Sequence, residues 1–133
     1  MTQDTIRESL QVLQKDIHQT AIDHGWYEGS SSDPLADPNR IPALLMLIVS
    51  EASEALEAFR EAKKDTDIRE IQYESSGSGT GSQKPVGFPS EIADIVIRCL
   101  DLSEHYGIDL ASIILEKHQY NITRSYKHGG KRI

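Results

Sequence analysis

The chain has 133 residues, 21 acidic against 14 basic, for a formal net charge of −7. That length predicts one domain able to bury a core, and 38% apolar with 26% charged residues excludes a disordered chain. The acidic balance argues against a nucleic-acid polymer as partner, no apolar run approaches the ~18 residues of a membrane span, and a lone Cys99 excludes a disulfide framework or multi-cysteine zinc site.

Met1 to Leu10 is polar and amphipathic, which predicts no signal peptide and a cytoplasmic protein. Ile6, Leu10, Leu13, Ile17, Ala21 and His24 follow the rhythm of one helical face. Thr2 or Asp4 suits its cap, and Gly25 its end. Residues 28–40 read as a loop. Pro42 suits the first turn of a second helix running to about Lys63. Leu44 to Val49 is apolar all round, which predicts a central position.

From Asp65 to Ser90 the pattern breaks. The stretch 75–82 has the composition of a flexible Gly/Ser connector, and Ile68–Tyr73 with Lys84–Phe88 can pair as a short hairpin. Ser90 suits the cap of a third helix, Glu91 to about Tyr106. Asp109 suits the cap of a fourth, reaching about Ser125. The prediction is an all-α bundle of about four helices in a single domain, 1–133. Its apolar stretches leave faces that want a partner, which predicts a homo-oligomer.

Two acid pairs stand out. Glu51 and Glu54, three apart on the second helix, share the apolar stripe of Leu44, Leu47, Ile48 and Ala55. Glu91 and Asp94 repeat the spacing on the third helix, beside Ile95 and Leu102. Inward carboxylates need protonation, an ion pair or a metal. Four oxygen donors suit Mg²⁺ or Mn²⁺, and structural ion pairs are the alternative.

On the fourth helix Lys117, Asn121 and Arg124 occupy one narrow sector. Residues 117–133 carry five basic side chains and no carboxylate, leaving 9 basic and 21 acidic residues before them. A metal–carboxylate cluster facing such a sector makes a phosphate cradle, and ion pairing or a solvated tail is the plainer alternative. Arg98, one turn after Asp94, either reaches a phosphate or pairs with Asp94 or Asp101. His128 sits between Lys127 and two glycines, within reach of a phosphate if the tail folds over. Cys99 reads as inert core.

Three segments together resemble the MazG-like branch of the all-α nucleoside triphosphate pyrophosphohydrolases. They are Ser-Glu-Ala-Ser-Glu-Ala-Leu-Glu-Ala-Phe-Arg (50–60), Pro-Ser-Glu-Ile-Ala-Asp-Ile-Val-Ile-Arg (89–98) and Lys-His-Gln-Tyr-Asn-Ile-Thr-Arg-Ser-Tyr-Lys-His-Gly-Gly-Lys-Arg (117–132). The resemblance implies hydrolysis of nucleoside triphosphates, dNTPs above all, between the α and β phosphates, in a house-cleaning role and in a homodimer or homotetramer. It implies Glu51, Glu54, Glu91 and Asp94 as Mg²⁺ ligands, with Mn²⁺ as a substitute. Glu54 or Glu51 would orient the attacking water. Lys117, Asn121, Arg124, Arg98, Lys127 and Lys131 would hold phosphates. Trp26, Tyr27 and His18 are candidates for the base, although Trp26 reads equally as a core or interface residue, and His18, which lies off the main apolar stripe of the first helix, reads more readily as structural. Two departures stand out. Ser50 takes a place where relatives carry a second Glu, and the interval from Glu54 to Glu91 is long. They leave room for a nucleotide-binding module without turnover, or a structural helical interaction domain.

Overall fold

Thr2, Gly87 and Asp109 let the backbone turn into three of the long helices, and the computed structural model describes residues 1–75 and 83–133. Helix α1 spans Gln3–Asp23. Its N-cap is Thr2, whose hydroxyl accepts from the Thr5 N–H at 3.1 Å, a contact worth about 1 kcal/mol. Gly25, at φ +82°, turns the chain out of it, a conformation that a Cβ would strain. Helix α2 spans Arg40–Glu61, with Pro42 in its first turn.

The next segment departs from expectation. Ile68 lies in a single-turn helix, α3 (Thr66–Arg69), and not in a strand. The cause is Asp67, whose carboxylate accepts from the Lys63 and Lys64 N–H groups at 3.0 and 3.2 Å and folds the chain back on itself. The hairpin is shifted accordingly. Strand β1 (Gln72–Ser75) pairs antiparallel with β2 (Gln83–Val86), Gln72 opposite Val86. From residue 76 on, the predicted connector 75–82 lies outside the described residues.

Helix α4 spans Phe88–His105, starting earlier than Ser90. Gly87 at φ +93° makes the entry turn, and Pro89 fits the first turn. Ser90 is therefore already helical, and its hydroxyl donates to the Pro85 carbonyl at 3.2 Å. Helix α5 (Leu110–Thr123) begins at Asp109, which accepts from Ser112 N–H as an N-cap should. A last single turn, α6, spans Lys127–Gly130.

The fold is predominantly helical. Helix α4 is central, with α1 and α2 packed against it and α5 laid on α1. The core is small and half polar: Tyr27, Ala55, Leu100 and Ala111 are buried with Gln14, His18, Glu51 and Ser103. Leu44 and Ile48 are half-buried, but Leu45, Met46, Leu47 and Val49 are exposed, against the expectation of a central position. Helix α2 packs principally on α4, so one chain covers only one of its faces. Among the described residues no helix is long and apolar enough to cross a membrane.

Candidate functional site

On α4 the residues Glu91, Asp94, Arg98, Asp101 and His105 recur at intervals of three and four, and so line one face. Across from it, α2 presents Leu44, Leu47, Glu51 and Ala55. Three of the four predicted acids converge there, and Asp94, which lines the neighbouring cleft, is not among them. Carboxylate oxygens of Glu51, Glu54 and Glu91 lie within 4.8 Å of one another. Glu51 is buried, Glu91 half-buried and Glu54 exposed.

The electrostatics of the cluster are those of unbalanced negative charge. Burial, then the Glu54 charge and contact with Glu51, push the Glu91 carboxyl from its ordinary 4.5 up to about 7. Burial and the Glu51 charge raise Asp94 in the same direction. Among the described residues Glu91 Oε2 is buried and has no hydrogen-bond partner. Glu51 is answered by an ion pair: Arg98 Nε donates to its Oε1 at 2.6 Å. Arg98 thus pairs across to α2, and not with Asp94 or Asp101 of its own helix.

A cleft of about 700 Å³ opens beside the cluster, between α1, α2 and α4. Glu51, Asp94 and Arg98 line it near the cluster, and Trp26, Tyr27 and Arg40 line it near Asp101. Asp101 organises that second region. Its Oδ2 accepts from the Tyr27 hydroxyl at 2.6 Å, and its Oδ1 lies 2.7 Å from His18 Nδ1. Burial and this carboxylate hold the Tyr27 phenol far above its ordinary range. His105 stacks on Tyr27 with ring centroids 4.2 Å apart, and its Nε2 lies 2.9 Å from the Ser31 carbonyl. Burial lowers the His105 pKa, which favours the neutral ring. The Arg40 guanidinium lies 5.4 Å from the Tyr27 ring centroid and donates to the Trp26 carbonyl at 3.3 Å.

The predicted base contacts therefore separate. Trp26 is 74% exposed on the rim, and Tyr27 is buried in the wall. His18 is not in the lining: it sits edge-on behind Tyr27, held by Asp101. Burial of His18 departs from its expected place off the apolar stripe. It arises because α1 turns that side toward the polar face of α4. His24 lines the cleft but is exposed. Glu57 and Glu61 line a separate shallow groove with Glu54. Cys99 is half-buried, and burial raises its thiol pKa.

The predicted phosphate residues separate too. Lys117 and Asn121 on α5, and Arg124 just past its end, are exposed, and none of them lines the cleft. Lys117 and Arg124 instead lie 5.1 and 5.9 Å from the Tyr120 ring centroid. Lys127 lies 5.7 Å from the Tyr126 ring, and Lys131 is exposed. Among the described residues the cations lining the cleft are Arg98 and Arg40.

Sequence reasoning missed Arg40, Asp101 and His105 as site residues. Asp101 and His105 extend the three-four repeat of Glu91, Asp94 and Arg98, a signal that was there to read. Arg40 had none, because its position depends on the path of the 28–40 loop. No family model, curated protein or solved structure matches the chain.

Proposed function

We propose that the protein is a divalent-cation-dependent nucleoside triphosphate pyrophosphohydrolase, cleaving dNTPs to the monophosphate and pyrophosphate. The observation that carries this reading is the convergence of Glu51, Glu54 and Glu91 from two helices at the edge of a nucleotide-sized cleft. The resemblance of residues 50–60, 89–98 and 117–132 to the MazG-like enzymes points the same way.

The donor set fits Mg²⁺ or Mn²⁺. It is all oxygen, and Glu91 Oε2 is buried and unpartnered, as a ligand awaiting a cation would be. Glu51, Glu54, Glu91 and Asp94 would hold the ion. Such an ion neutralises phosphate oxygens and lowers the pKa of a bound water. The chain's own groups supply the rest. Glu54, the most open of the three glutamates, accepts a proton from the attacking water. Arg98 is close enough to the cluster to turn from Glu51 to a phosphate oxygen. Trp26 offers a stacking face for a base, and Tyr27, fixed by Asp101, a rigid wall beneath it.

Incubation with each dNTP and Mg²⁺, with pyrophosphate as readout, tests the reading. Turnover is expected, reduced about 100-fold or more in Glu54→Gln. Absence of turnover with every nucleotide, in a protein that still binds Mg²⁺, would remove the enzyme. One observation favours a second reading, nucleotide binding without turnover. Arg98 already occupies an oxygen of Glu51 that a cation would need. That reading expects a rise in melting temperature with nucleotide and no product.

A further inference from the structure

Asp101 and Arg40 line the end of the cleft away from the glutamates, and each keeps hydrogen-bonding capacity that the fold does not use. The Asp101 side chain is 21% exposed. A carboxylate offers about four lone-pair positions. The Tyr27 hydroxyl donates to Oδ2 at 2.6 Å, and His18 Nδ1 donates to Oδ1 at 2.7 Å. Each oxygen therefore keeps room for one more donor. The same two contacts hold the carboxylate in one orientation before any ligand arrives.

Arg40 is the complement. Among the described residues it forms no ion pair. Its Nη2 donates to the Trp26 carbonyl across a long 3.3 Å, and its Nε is buried without an acceptor among those residues. A guanidinium carries five donors and no acceptor, so most of this one is unanswered. Ile17, Leu47 and Ile97 add apolar wall to the cleft, which suits the faces of a planar ring.

Helix α4 sets the distance. At about 1.5 Å of rise per residue, Asp101 stands about 10 Å beyond Asp94 and about 15 Å beyond Glu91. A nucleotide with its α-phosphate at the carboxylates carries the hydrogen-bonding edge of its base over such a distance. The bases differ in what they offer there. Guanine presents two neighbouring donors, N1–H and the 2-amino group, beside the O6 acceptor. Adenine and cytosine each present one amino group next to a bare ring nitrogen. Thymine presents one N–H between two carbonyls. A carboxylate repels those bare nitrogens and carbonyls. Guanine alone fills both open positions of Asp101 while turning a carbonyl oxygen toward a cation.

We infer that Asp101 and Arg40 read the base in this cleft and select guanine nucleotides. The inference rests on the proposed seat of the phosphates at the glutamate cluster. Trp26 is the single tryptophan of the chain and stands on the rim, so its fluorescence reports occupancy. The probes are the α,β-methylene analogues of dGTP, dITP, dATP, dCTP and dTTP with Mg²⁺, which cannot be cleaved between the α and β phosphates. The dGTP analogue is expected to bind about 10-fold or more tighter than those of dATP, dCTP and dTTP, with dITP, which lacks the 2-amino group, in between. Asp101→Asn removes the preference and tightens the dATP analogue, because an amide can donate to the bare adenine nitrogen. A purely structural loss would weaken all five alike. Arg40→Gln weakens the dGTP and dITP analogues, which carry O6, more than that of dATP. Equal affinities for all five in the unaltered protein overturn the inference and leave the phosphate seat standing. Binding of none of them removes the nucleotide reading itself, and this inference with it. A folded Asp101→Asn that keeps the guanine preference overturns it too. If circular dichroism shows that variant unfolded, the Arg40→Gln series and the dGTP–dITP difference decide.

Discussion

Glu91 sits in a cluster of like charges, with Glu51, Glu54 and Asp94 all raising its pKa. Its carboxyl titrates at about 7 in the folded chain against an ordinary 4.5. Between those values the unfolded chain is ionised there while the folded chain keeps its proton. Unfolding then releases a proton, so stability falls as pH rises from about 4.5 to about 7, and the contribution is fully lost above that. Without divalent cations the melting temperature is therefore expected to fall from pH 5 to pH 8. Glu91→Gln, which cannot ionise, should flatten that slope and melt higher than the unaltered protein at pH 8. A slope unchanged in the variant would mean that the conflict is not at Glu91. Arg98 makes the opposite case. It neutralises the buried Glu51, so Arg98→Gln should cost about 1–3 kcal/mol in cation-free urea melts by leaving an acceptor unpaired. The same change clears Glu51 for a cation. Titration with Mn²⁺, followed by electron paramagnetic resonance, should show tighter binding in Arg98→Gln. Weaker binding would show that Arg98 supports the cluster and does not compete for it.

At the scale of elements, α1 is attached to α4 by polar contacts as much as by apolar ones. The Gln14 amide nitrogen donates to Glu104 Oε2 at 2.8 Å and to the Ile108 carbonyl at 3.0 Å, in a buried position. Gln14→Leu leaves those acceptors unanswered, and should lower the unfolding free energy by about 1–3 kcal/mol with an unchanged urea m-value. A neutral result would mean that water replaces the amide. Contacts of this kind explain which parts of the fold were legible. Helices α1, α2 and α5 could be read from Thr2, Gly25, Pro42 and Asp109, because caps and breakers act locally. The meeting of Glu51 and Glu54 with Glu91 could be read from helical spacing, because the period fixes the face. The start of α4 at Phe88 and the turn at Asp67 could not, because both depend on which neighbour the segment finds. The same holds for His18, whose burial follows from Asp101, 83 positions away. The exposed positions of Lys117, Asn121 and Arg124 belong here too. Spacing puts them on one side of α5, but only the packing of α5 on α1 decides what that side faces.

At the scale of the whole molecule, the described core is small and half polar, and the large side chains Leu45, Val49, Leu56 and Phe59 of α2 are exposed. If two copies fold together, mass action ties melting to concentration. Each tenfold rise in protein should lift the melting temperature by about 2–3 °C for a dimer of this chain length. Charge sharpens the expectation. Each copy carries −7, so any association of copies brings like charges together. Added salt should therefore raise the midpoint by relieving repulsion, where an interface built on salt bridges would lose stability. Leu56→Glu puts a carboxylate on the exposed apolar side of α2 and should abolish any concentration dependence that rests on that side. Scanning calorimetry over a hundredfold range of concentration and at two salt levels makes the comparison directly. A melting temperature independent of concentration would mean that the small core suffices alone.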